Sequence, residues 1–365
     1  MGNRTRPRGS NQLMPHIKPD DLRQIGYQLF ETAGCPPASA RAVTDHLVES
    51  SLYGHDSHGS LRLYEYVEQI QDGIFDPKGQ PSIVSERPCT VVVDGGGTMG
   101  QIGGTFATQL AIDKAAQYGV ATATLRNCGH VGRVGAYPLQ VARQGMIGLA
   151  FCNAGHLGRQ IAPYGGIDGK LSTNPISCAA PRRNADPILV DMTTSVCAEG
   201  KVRVAHNRGE QLPEGRIIDH DGNPSTDPEA FVGDPPGAIL PFGGPVAYKG
   251  YCLSMIVEIL GGALSGQGCA NGETVMQSNG LHLTVYNIDH FVEMDYYFDE
   301  LESLIRHVST SRVDPHIGEI LLPGDPEYRT GHQRREEGIP IDDTTWSHIV
   351  EAAHSLGLDP QAWSQ

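Results

Sequence analysis

Apolar residues recur at three- and four-residue intervals along the first part of the chain. This spacing predicts amphipathic helices at Pro19–Phe30 and Ser39–Tyr53, behind Asp and Ser residues that can cap them. A third helix is predicted from about Ser57 to Asp72-Gly73, where the glycine can adopt the left-handed conformation that ends a helix. Its apolar face comprises Leu61, Tyr64, Val67 and Ile70. The sequence therefore predicts an all-helical N-terminal block.

The pattern changes at Thr90 from helical spacing to short runs of β-branched residues separated by glycine turns. Strands are predicted at Thr90–Val93, Val120–Leu125, Ile147–Phe151 and Ile188–Val190. One helical stretch, Phe106–Tyr118, interrupts them, and an irregular passage rich in Asp, Pro and Gly covers 209–244. Helices are predicted again at Tyr248–Leu264, at Asp295–Val308 and at the C-terminal end.

Composition and charge restrict the class of protein. A chain of 365 residues has about the length of two domains and can bury a substantial core. Its 42 acidic residues and its 27 Lys and Arg residues give a net charge of −15, which repels nucleic acid phosphates and anionic lipid. We therefore expect neither nucleic acid nor a membrane as a partner, and any anionic ligand must meet a local group of Arg or Lys.

The eight cysteines are scattered, without a CxxC pair or a spacing typical of a zinc site. We interpret them as free thiols in a reducing cytoplasm, and we expect no metal centre. The N-terminus has no apolar stretch of the signal-peptide type, and residues 1–16 are predicted to form a disordered tail. The longest apolar run, Cys252–Leu264, contains Glu258 and is too short to span a bilayer.

A glycine pattern follows the first predicted strand. Gly95-x-Gly97-x-x-Gly100 precedes a helix, which is the order found in the dinucleotide-binding fingerprint. The next predicted strand is followed by Arg126 and Asn127, whereas that fingerprint needs an acidic residue for the ribose hydroxyls. The additional glycines are more typical of a flexible turn than of a single helix N-terminus. We therefore expect no Rossmann site in this segment.

Polar residues at the start of the third predicted helix form the first candidate site. With helical spacing, His58, Arg62 and Tyr66 share a face that is distinct from the apolar one. A histidine can exchange a proton near neutral pH, and a guanidinium can hold a carboxylate with two hydrogen bonds, so the pair suits oxoacid chemistry. A solvated helix face is the alternative interpretation.

Two further segments carry candidate residues. His130 and Arg133 lie within 129–135, where three glycines predict close backbone approach in a loop at a strand end. Lys249-Gly250 lies at the start of a predicted helix, where a cation beside backbone amides can bind phosphate. A structural histidine and a surface lysine are the corresponding alternatives.

Ordered matches from about residue 17 to 360 resemble the malate/L-lactate/ureidoglycolate dehydrogenase family. The matching segments are Asp56-Ser57-His58-Gly59 with Arg62, Gly129-His130-Val131-Gly132, Thr173-Asn174-Pro175, Asp191-Met192-Thr193-Thr194-Ser195, Leu212-Pro213-Glu214-Gly215, Lys249-Gly250-Tyr251, Leu260-Gly261-Gly262-Ala263-Leu264-Ser265-Gly266, Leu322-Pro323-Gly324-Asp325 and Gly338-Ile339-Pro340. The stretches around 130–135 and 322–341 most resemble members that reduce a broad range of 2-oxoacids.

The resemblance implies a fold of the α/β (α+β) class that is not a Rossmann fold. A predominantly antiparallel sheet domain would bind NADH or NADPH and pack on a helical domain formed from both chain ends. In this chain, the mixed α/β NAD(P)-binding domain is expected at 81–249, and the helical domain at 17–80 with 250–365. The resemblance also implies a homodimer.

By the same resemblance, His58 and His130 match the family's acid/base histidines, and Arg62 matches an arginine positioned for the substrate carboxylate. The residues that match cofactor-lining segments are Thr173, Asn174, Asp191, Met192, Thr193, Ser195, Lys249, Gly250, Pro323, Gly324 and Asp325. Ala154 stands where a serine often contacts the nicotinamide. Arg133 stands where many relatives carry a small residue, and a second guanidinium at the substrate site would favour dicarboxylates.

The resemblance thus implies hydride transfer between NAD or NADP and C2 of a 2-oxoacid or 2-hydroxy acid of the malate, lactate or hydroxyglutarate type. Arg62 would anchor the substrate carboxylate, and His130 or His58 would donate a proton to the forming alkoxide. Reduction of a cyclic imine carboxylate is the alternative, because a protonated C=N beside a carboxylate fits the same residues. A non-catalytic nucleotide-binding protein is a third interpretation.

Overall fold

The computed structural model describes residues 15–273, 278–360 and 363. The described strands are β1 (His16–Ile17), β2 (Ser82–Arg87), β3 (Thr90–Asp94), β4 (Val120–Arg126), β5 (Ile147–Asn153), β6 (Ile176–Arg182), β7 (Ala185–Met192), β8 (Ile217–Ile218), β9 (Pro224–Ser225), β10 (Ala238–Ile239), β11 (Gly280–Tyr286) and β12 (Ile339–Pro340). The described helices are α1 (Pro19–Thr32), α2 (Pro37–Leu52), α3 (Leu61–Gln71), α4 (Gly100–Tyr118), α5 (Ala136–Ala142), α6 (Glu199–Arg208), α7 (Glu229–Val232), α8 (Tyr248–Val257), α9 (Met294–Ser309), α10 (Asp325–Glu337) and α11 (Asp343–Ser355).

The N-terminal block is helical, which confirms the prediction from spacing. Helix α3 begins at Leu61, however, and not near Ser57 as predicted. The reason is that Asp56–His58 form a separate 3₁₀ turn before the helix. His58 therefore lies on this turn, one short loop away from the helix that carries Arg62.

The two ends of the chain share one core. Strand β1 pairs antiparallel with β12, and helix α11 packs against α3. Ile339, Ile349 and Ala353 are buried in the same cluster as the apolar residues of α1, α2 and α3. Of the predicted tail, residues 1–14 lie outside the described residues, and His16 is part of β1.

A large sheet forms the second core, with the strand order β2-β3-β4-β11-β5-β6-β7. Its neighbouring strands are antiparallel except for β3 and β4, which are parallel. The predominantly antiparallel sheet expected from the resemblance is therefore confirmed. Helices α4 and α5 cover one face, where their apolar residues meet those of β3, β4, β5 and β11.

The glycine turn between β3 and α4 is used for packing. Gly97 N–H donates to the Asn127 carbonyl at 2.9 Å, and Gly100 N–H donates to the His130 carbonyl at 3.2 Å. A Cβ atom at Gly100 would lie 2.5 Å from the Gly129 carbonyl oxygen, so only glycine fits there. These contacts hold the turn against the loop that carries His130.

Strand β11 changes one expected boundary. It lies in the middle of the large sheet, between β4 and β5, with Leu281, Leu283 and Val285 buried in the sheet core. Residues 280–286 therefore pack with the sheet, although the expected helical domain included them within 250–365. The physical reason is that the sheet would be split without this strand, since β4 and β5 both pair with it. The rest of the expected division into domains stays a prediction.

A smaller core lies beside the large sheet. It contains Val202, Ile217, Phe231 and Ile239, from α6, α7 and the three-stranded sheet β10-β8-β9. Helix α8 continues into a π-helical turn at Glu258–Leu264 that packs on β5 and β11. The predicted helix at Tyr248–Leu264 is thus confirmed, with its last part wound more widely than an α-helix. In the part of the chain that the structure describes, no helix is long and apolar enough to cross a bilayer.

Candidate active site

A cleft of about 1310 Å³ lies where the helical core, the large sheet and the smaller core meet. The sequence-predicted residues His58, Arg62, His130 and Arg133 all line it. The main lining segments are 53–58, 130–134, 172–175, 191–193, 195–201 and 213–216. The cleft therefore combines both candidate histidines with both candidate arginines.

His130 is held by a buried hydroxyl. The Tyr66 hydroxyl lies 2.7 Å from His130 Nδ1, and Gln101 Nε2 donates to the same hydroxyl at 2.9 Å. The hydroxyl therefore occupies Nδ1, and Nε2 is the ring nitrogen that stays free to exchange a proton with a ligand. Burial, together with the neighbouring His58 and Arg62, holds the pKa of His130 well below its usual value. The ring is therefore neutral at pH 7.

His58 lies beside His130. The centres of the two rings are 5.2 Å apart, and His58 Nδ1 lies 3.0 Å from Ser57 Oγ. Burial, with Arg62 and His55 nearby, lowers the pKa of His58 to about 3. Both histidines are consequently neutral hydrogen-bonding groups at physiological pH.

The turn that carries His58 is fixed by the far end of the chain. Arg334 in α10 donates to the two carboxylate oxygens of Asp56, at 2.5 and 3.0 Å, and also to the Ser51 carbonyl. A bidentate pair of this kind fixes direction as well as distance. Sequence reasoning identified Asp56 but missed Arg334, because nothing local in the sequence indicates that α10 packs against this turn.

Arg62 has part of its guanidinium available to a ligand. Nε donates to the Ser57 carbonyl at 2.9 Å, and Nη1 pairs with Glu65. Among the described residues, Nη2 has no hydrogen-bond partner, and the side chain is 21% exposed. The charge and this donor suit an incoming carboxylate.

Arg133 is more enclosed. Its side chain is 2% exposed, with Nη2 3.2 Å from Glu49 Oε2 and Nη1 3.6 Å from Asp191 Oδ2. Its Cζ atom lies 5.0 Å from the centre of the Tyr53 ring. Among the described residues, Nε and Nη1 have no hydrogen-bond partner. Two carboxylates thus offset its charge, while two donors stay unused.

Buried groups continue behind Arg133. Its backbone N–H donates to His46 Nε2 at 3.0 Å, which requires that nitrogen to be unprotonated. Burial and the charge of Arg133 lower the pKa of His46 to about 3. Burial raises the pKa of Asp191 above its usual value, although Arg133 opposes this.

Most of the predicted coenzyme residues line the same cleft. These are Thr173, Asn174, Asp191, Met192, Thr193 and Ser195, and Ala154 lies among them. Asn174 is fully buried and has φ of +42°, a conformation that is uncommon for a residue other than glycine. Its Oδ1 atom has no hydrogen-bond partner among the described residues.

The other predicted coenzyme residues lie beside the cleft and do not line it. Gly250 packs on Phe242, a lining residue, and Lys249 precedes it. Pro323 and Asp325 line a separate cavity of about 320 Å³, and Gly324 packs on Leu189. The two residues that follow Asp325, Pro326 and Glu327, line the main cleft.

Sequence reasoning also missed a polar network in the cleft wall. Glu258, at the start of the π-helical turn, is 4% exposed and accepts hydrogen bonds from Asn153 and Asn174. The sequence does carry a signal, since Glu258 is the lone acid within the apolar run Cys252–Leu264. An acid at such a position is buried only when it is hydrogen-bonded or paired.

Similar proteins are known that match most of this chain. The sequence profile described as malate/L-lactate dehydrogenase matches residues 17–350. Hydroxycarboxylate dehydrogenase B of Escherichia coli O157:H7 is 35% identical over 337 residues, which cover 90% of this chain and 91% of that protein.

Two solved structures are similar to the whole fold. The sulfolactate dehydrogenase of Methanocaldococcus jannaschii superposes with a TM-score of 0.86 at 32% identity, covering 96% of this chain and all of that one. The delta1-piperideine-2-carboxylate reductase of Pseudomonas syringae superposes with a TM-score of 0.81 at 29% identity, covering 93% of this chain and 100% of that one.

Proposed function

Because the chain belongs to the malate/L-lactate dehydrogenase family, we propose that its cleft transfers a hydride between NADH or NADPH and C2 of a 2-oxoacid or 2-hydroxy acid. The observation that carries this proposal is the meeting of two neutral histidines with Arg62 in one cleft. A volume of about 1310 Å³ also exceeds that of a usual small-molecule pocket, roughly 300–1,000 Å³, as a dinucleotide together with a substrate requires.

The residues present fit a nicotinamide coenzyme, which supplies the hydride when it is bound. Thr173, Thr193 and Ser195 contribute hydroxyl groups to the cleft, and Asn174 contributes a buried amide with an unused acceptor. Neutral hydrogen-bonding groups of this kind suit ribose hydroxyls and a carboxamide. NAD or NADP is the cofactor in this proposal, and the relative affinities for NADH and NADPH distinguish them.

Arg62 and His130 have complementary roles in the proposed reduction. Arg62 binds the substrate carboxylate and thereby orients the adjacent carbonyl group. In its protonated form, His130 donates Nε2–H to the carbonyl oxygen, and this proton passes to the forming alkoxide as the ring returns to its neutral form. In the oxidation of a 2-hydroxy acid, the same nitrogen receives the proton. His58 is the other candidate for this role.

The direct test is the loss of NADH and NADPH absorbance with a panel of 2-oxoacids at neutral pH. The proposal expects turnover of at least one member of the set that contains pyruvate, oxaloacetate, 2-oxoglutarate and phenylpyruvate. Absence of turnover across the set, with the coenzyme still bound, contradicts it and favours a non-catalytic nucleotide-binding protein.

A second candidate function is the reduction of a cyclic imine carboxylate. It is favoured by the likeness to a solved structure named as a piperideine-carboxylate reductase. A protonated C=N beside a carboxylate presents the same charges to Arg62 and His130 as a 2-oxoacid carbonyl. Adding cyclic imine carboxylates to the panel separates the two functions, because turnover of imines alone favours the second.

Arg133 is proposed to favour dicarboxylate substrates. Its unused Nε and Nη1 donors support this role, whereas its contacts with Glu49 and Asp191 compete with it. The variant Arg133→Ala is expected to lower kcat/KM for 2-oxoglutarate or oxaloacetate more than for pyruvate, by about tenfold for a lost charged hydrogen bond. An unchanged ratio of the two kcat/KM values contradicts the role.

We further propose a cytoplasmic homodimer. The π-helical turn and the end of α8 expose Met255, Ile256, Ile259 and Leu264, and α9 exposes Tyr296 and Leu304. Exposed groups of large apolar residues mark interaction surfaces more often than free surface. Sedimentation velocity is expected to give a dimer, and substitution of Ile259 by Glu is expected to give monomers. A monomeric wild-type chain at micromolar concentration contradicts the proposal.

A further inference from the structure

The buried carboxylate of Glu258 lies behind Asn153 and Asn174, two residues that line the cleft. Its Oε1 atom accepts from Asn174 Nδ2 at 2.8 Å. Its Oε2 atom accepts from Asn153 Nδ2 and from the Ala270 backbone N–H, each at 3.0 Å. Three N–H donors therefore converge on one side chain.

Glycines allow this approach. A Cβ atom at Gly262 would lie 2.6 Å from Asn153 Nδ2, and one at Gly261 would lie 3.1 Å from the Asn153 backbone N. The π-helical turn can therefore lie directly on Asn153 and bring Glu258 to the cleft wall. Leu260-Gly261-Gly262, which the sequence marks only as a motif, thus acquires a physical role.

The carboxylate decides which way the Asn174 amide faces. A carboxylate oxygen can only accept, so the atom beside Glu258 must be the amide NH₂ group. The same NH₂ group donates to Ser254 Oγ at 2.9 Å. Oδ1 is consequently turned away from both partners. It is buried, and among the described residues nothing donates to it.

A buried acceptor without a donor is costly, and such atoms occur mainly where a ligand or water completes the contact. Asn174 lines the cleft, and its positive φ is the kind of backbone strain that collects at ligand sites. Neither Glu258 nor Ser254 can supply the missing donor, because both lie beside the NH₂ group and not beside Oδ1. Because Asn174 lines the cleft, a ligand bound there can supply the donor.

We propose that Glu258 is a positioning residue that turns the Asn174 amide so that Oδ1 accepts a hydrogen bond from the carboxamide N–H of the nicotinamide ring. This inference rests on the proposed function. Asn174 is then the residue that recognises the primary amide, and Glu258 acts through it without contacting the coenzyme.

The variant Glu258→Gln tests whether Glu258 determines which group of the Asn174 amide, Oδ1 or NH₂, faces the cleft. The oxygen of the introduced glutamine side chain must stay beside Ala270, since a backbone N–H cannot turn into an acceptor. The new NH₂ group then faces Asn174, whose amide must flip to accept from it, and the Ser254 hydroxyl can rotate to donate to the same oxygen. In this variant, Asn174 therefore presents its NH₂ group to the cleft, whereas the wild-type chain presents Oδ1.

The experiment compares two dinucleotides by calorimetry. One is the coenzyme that the chain binds better, and the other is its 3-acetylpyridine analogue, which has an acetyl carbonyl and no amide N–H. The wild-type chain is expected to bind the carboxamide form about tenfold more tightly, as the loss of one buried hydrogen bond predicts. In Glu258→Gln, this preference is expected to vanish or reverse, because the flipped NH₂ group can donate to the acetyl oxygen.

ADP-ribose provides the control ligand, because it lacks the nicotinamide ring, and its affinity is expected to change less than twofold in Glu258→Gln. Ser254→Ala is the matched variant: it removes one acceptor of the same NH₂ group but keeps the carboxylate, so the wild-type preference is expected to persist. Glu258→Asp, which retains an acceptor-only group, is expected to restore the preference at least in part.

Equal affinities of the wild-type chain for the two dinucleotides overturn the proposal without any variant. A wild-type preference that survives in Glu258→Gln also overturns it, as does an equal loss of ADP-ribose and dinucleotide binding, which indicates a general structural role. Failure of the wild-type chain to bind either dinucleotide is a different result, because it overturns the proposed function itself.

Discussion

At the residue scale, the protonation of His130 follows from its neighbours. The Tyr66 hydroxyl occupies Nδ1, and burial keeps the ring neutral by lowering its pKa, so Nε2 is the nitrogen left to exchange a proton with the substrate. His58 has a comparably low pKa, but its Nδ1 contact is with a serine hydroxyl that can act as donor or acceptor. His130 is therefore better fixed for proton transfer than His58.

The variants His130→Ala and His58→Ala test this assignment. Loss of the general acid is expected to lower kcat by about 10²–10⁴, with little change in coenzyme affinity. We expect this result for His130→Ala and a smaller loss for His58→Ala. Steady-state kinetics together with coenzyme titration measure both effects, and full activity of His130→Ala removes that residue from the role.

Candidate site residues could be predicted from the sequence where a side chain of suitable chemistry stands in a recognisable local motif. His58, Arg62 and His130 stand in recognisable local patterns, and the structure brings them into one cleft. Arg334 and Glu258 were missed because their roles come from contacts distant in sequence, to Asp56 and to Asn153 and Asn174. Spacing along a helix cannot reveal such contacts.

At the element scale, periodicity predicted those helices and strands that bury one face. The strands predicted at Thr90–Val93, Val120–Leu125, Ile147–Phe151 and Ile188–Val190 are all present. Strand β2 was missed because all of its residues are exposed, which leaves no buried face to mark it. Strand β6 contains Pro181 and small alanines, which have low strand propensity, and is held by its neighbours β5 and β7.

Helix α4 begins at Gly100, earlier than the predicted Phe106, because its first turn packs on the His130 loop. Gly100→Ala is expected to destabilise the protein by about 1–3 kcal/mol, since the new Cβ meets backbone atoms of Gly129 and His130. The new Cβ atom also displaces the His130 backbone, and this displacement is expected to lower kcat. Chemical denaturation and steady-state kinetics measure the two effects.

Gly103→Ala is the matched control in the same helix. Its Cβ would meet the Leu125 Cδ1 atom at 2.9 Å, and a side-chain methyl group can move where a backbone cannot. We expect a smaller loss of stability and an unchanged kcat. Equal effects of the two substitutions on kcat would argue that the turn does not position His130.

At the scale of the whole molecule, buried neutral histidines couple stability to pH. Burial lowers the pKa values of His46 and His58 to about 3, and that of His130 also lies well below its usual value. In the unfolded chain, histidines take up protons below about pH 6.5. Acid therefore favours the unfolded state, and the free energy of unfolding falls as pH drops from about 6.5 toward 3.

The expected slope is about 1.4 kcal/mol per pH unit for each histidine that stays neutral in the fold and is protonated when unfolded. Urea denaturation between about pH 5 and 6.5 measures it, above the range where most carboxyl groups titrate. His46→Gln retains an acceptor for the Arg133 N–H and is expected to give a shallower slope. A free energy of unfolding that is constant over this range would contradict the prediction.

Because β1 pairs with β12, the ribosome synthesises residues 16–17 of this core long before it synthesises residues 339–340. At roughly 5–20 residues per second, the turn at Asp56–His58 waits on the order of 15–60 seconds for Arg334. During this interval, the apolar faces of α1, α2 and α3 lack part of their core and are available to chaperones. A nascent chain released before Arg334 contains the whole large sheet but not the contact that fixes His58, so activity requires that synthesis has passed Arg334.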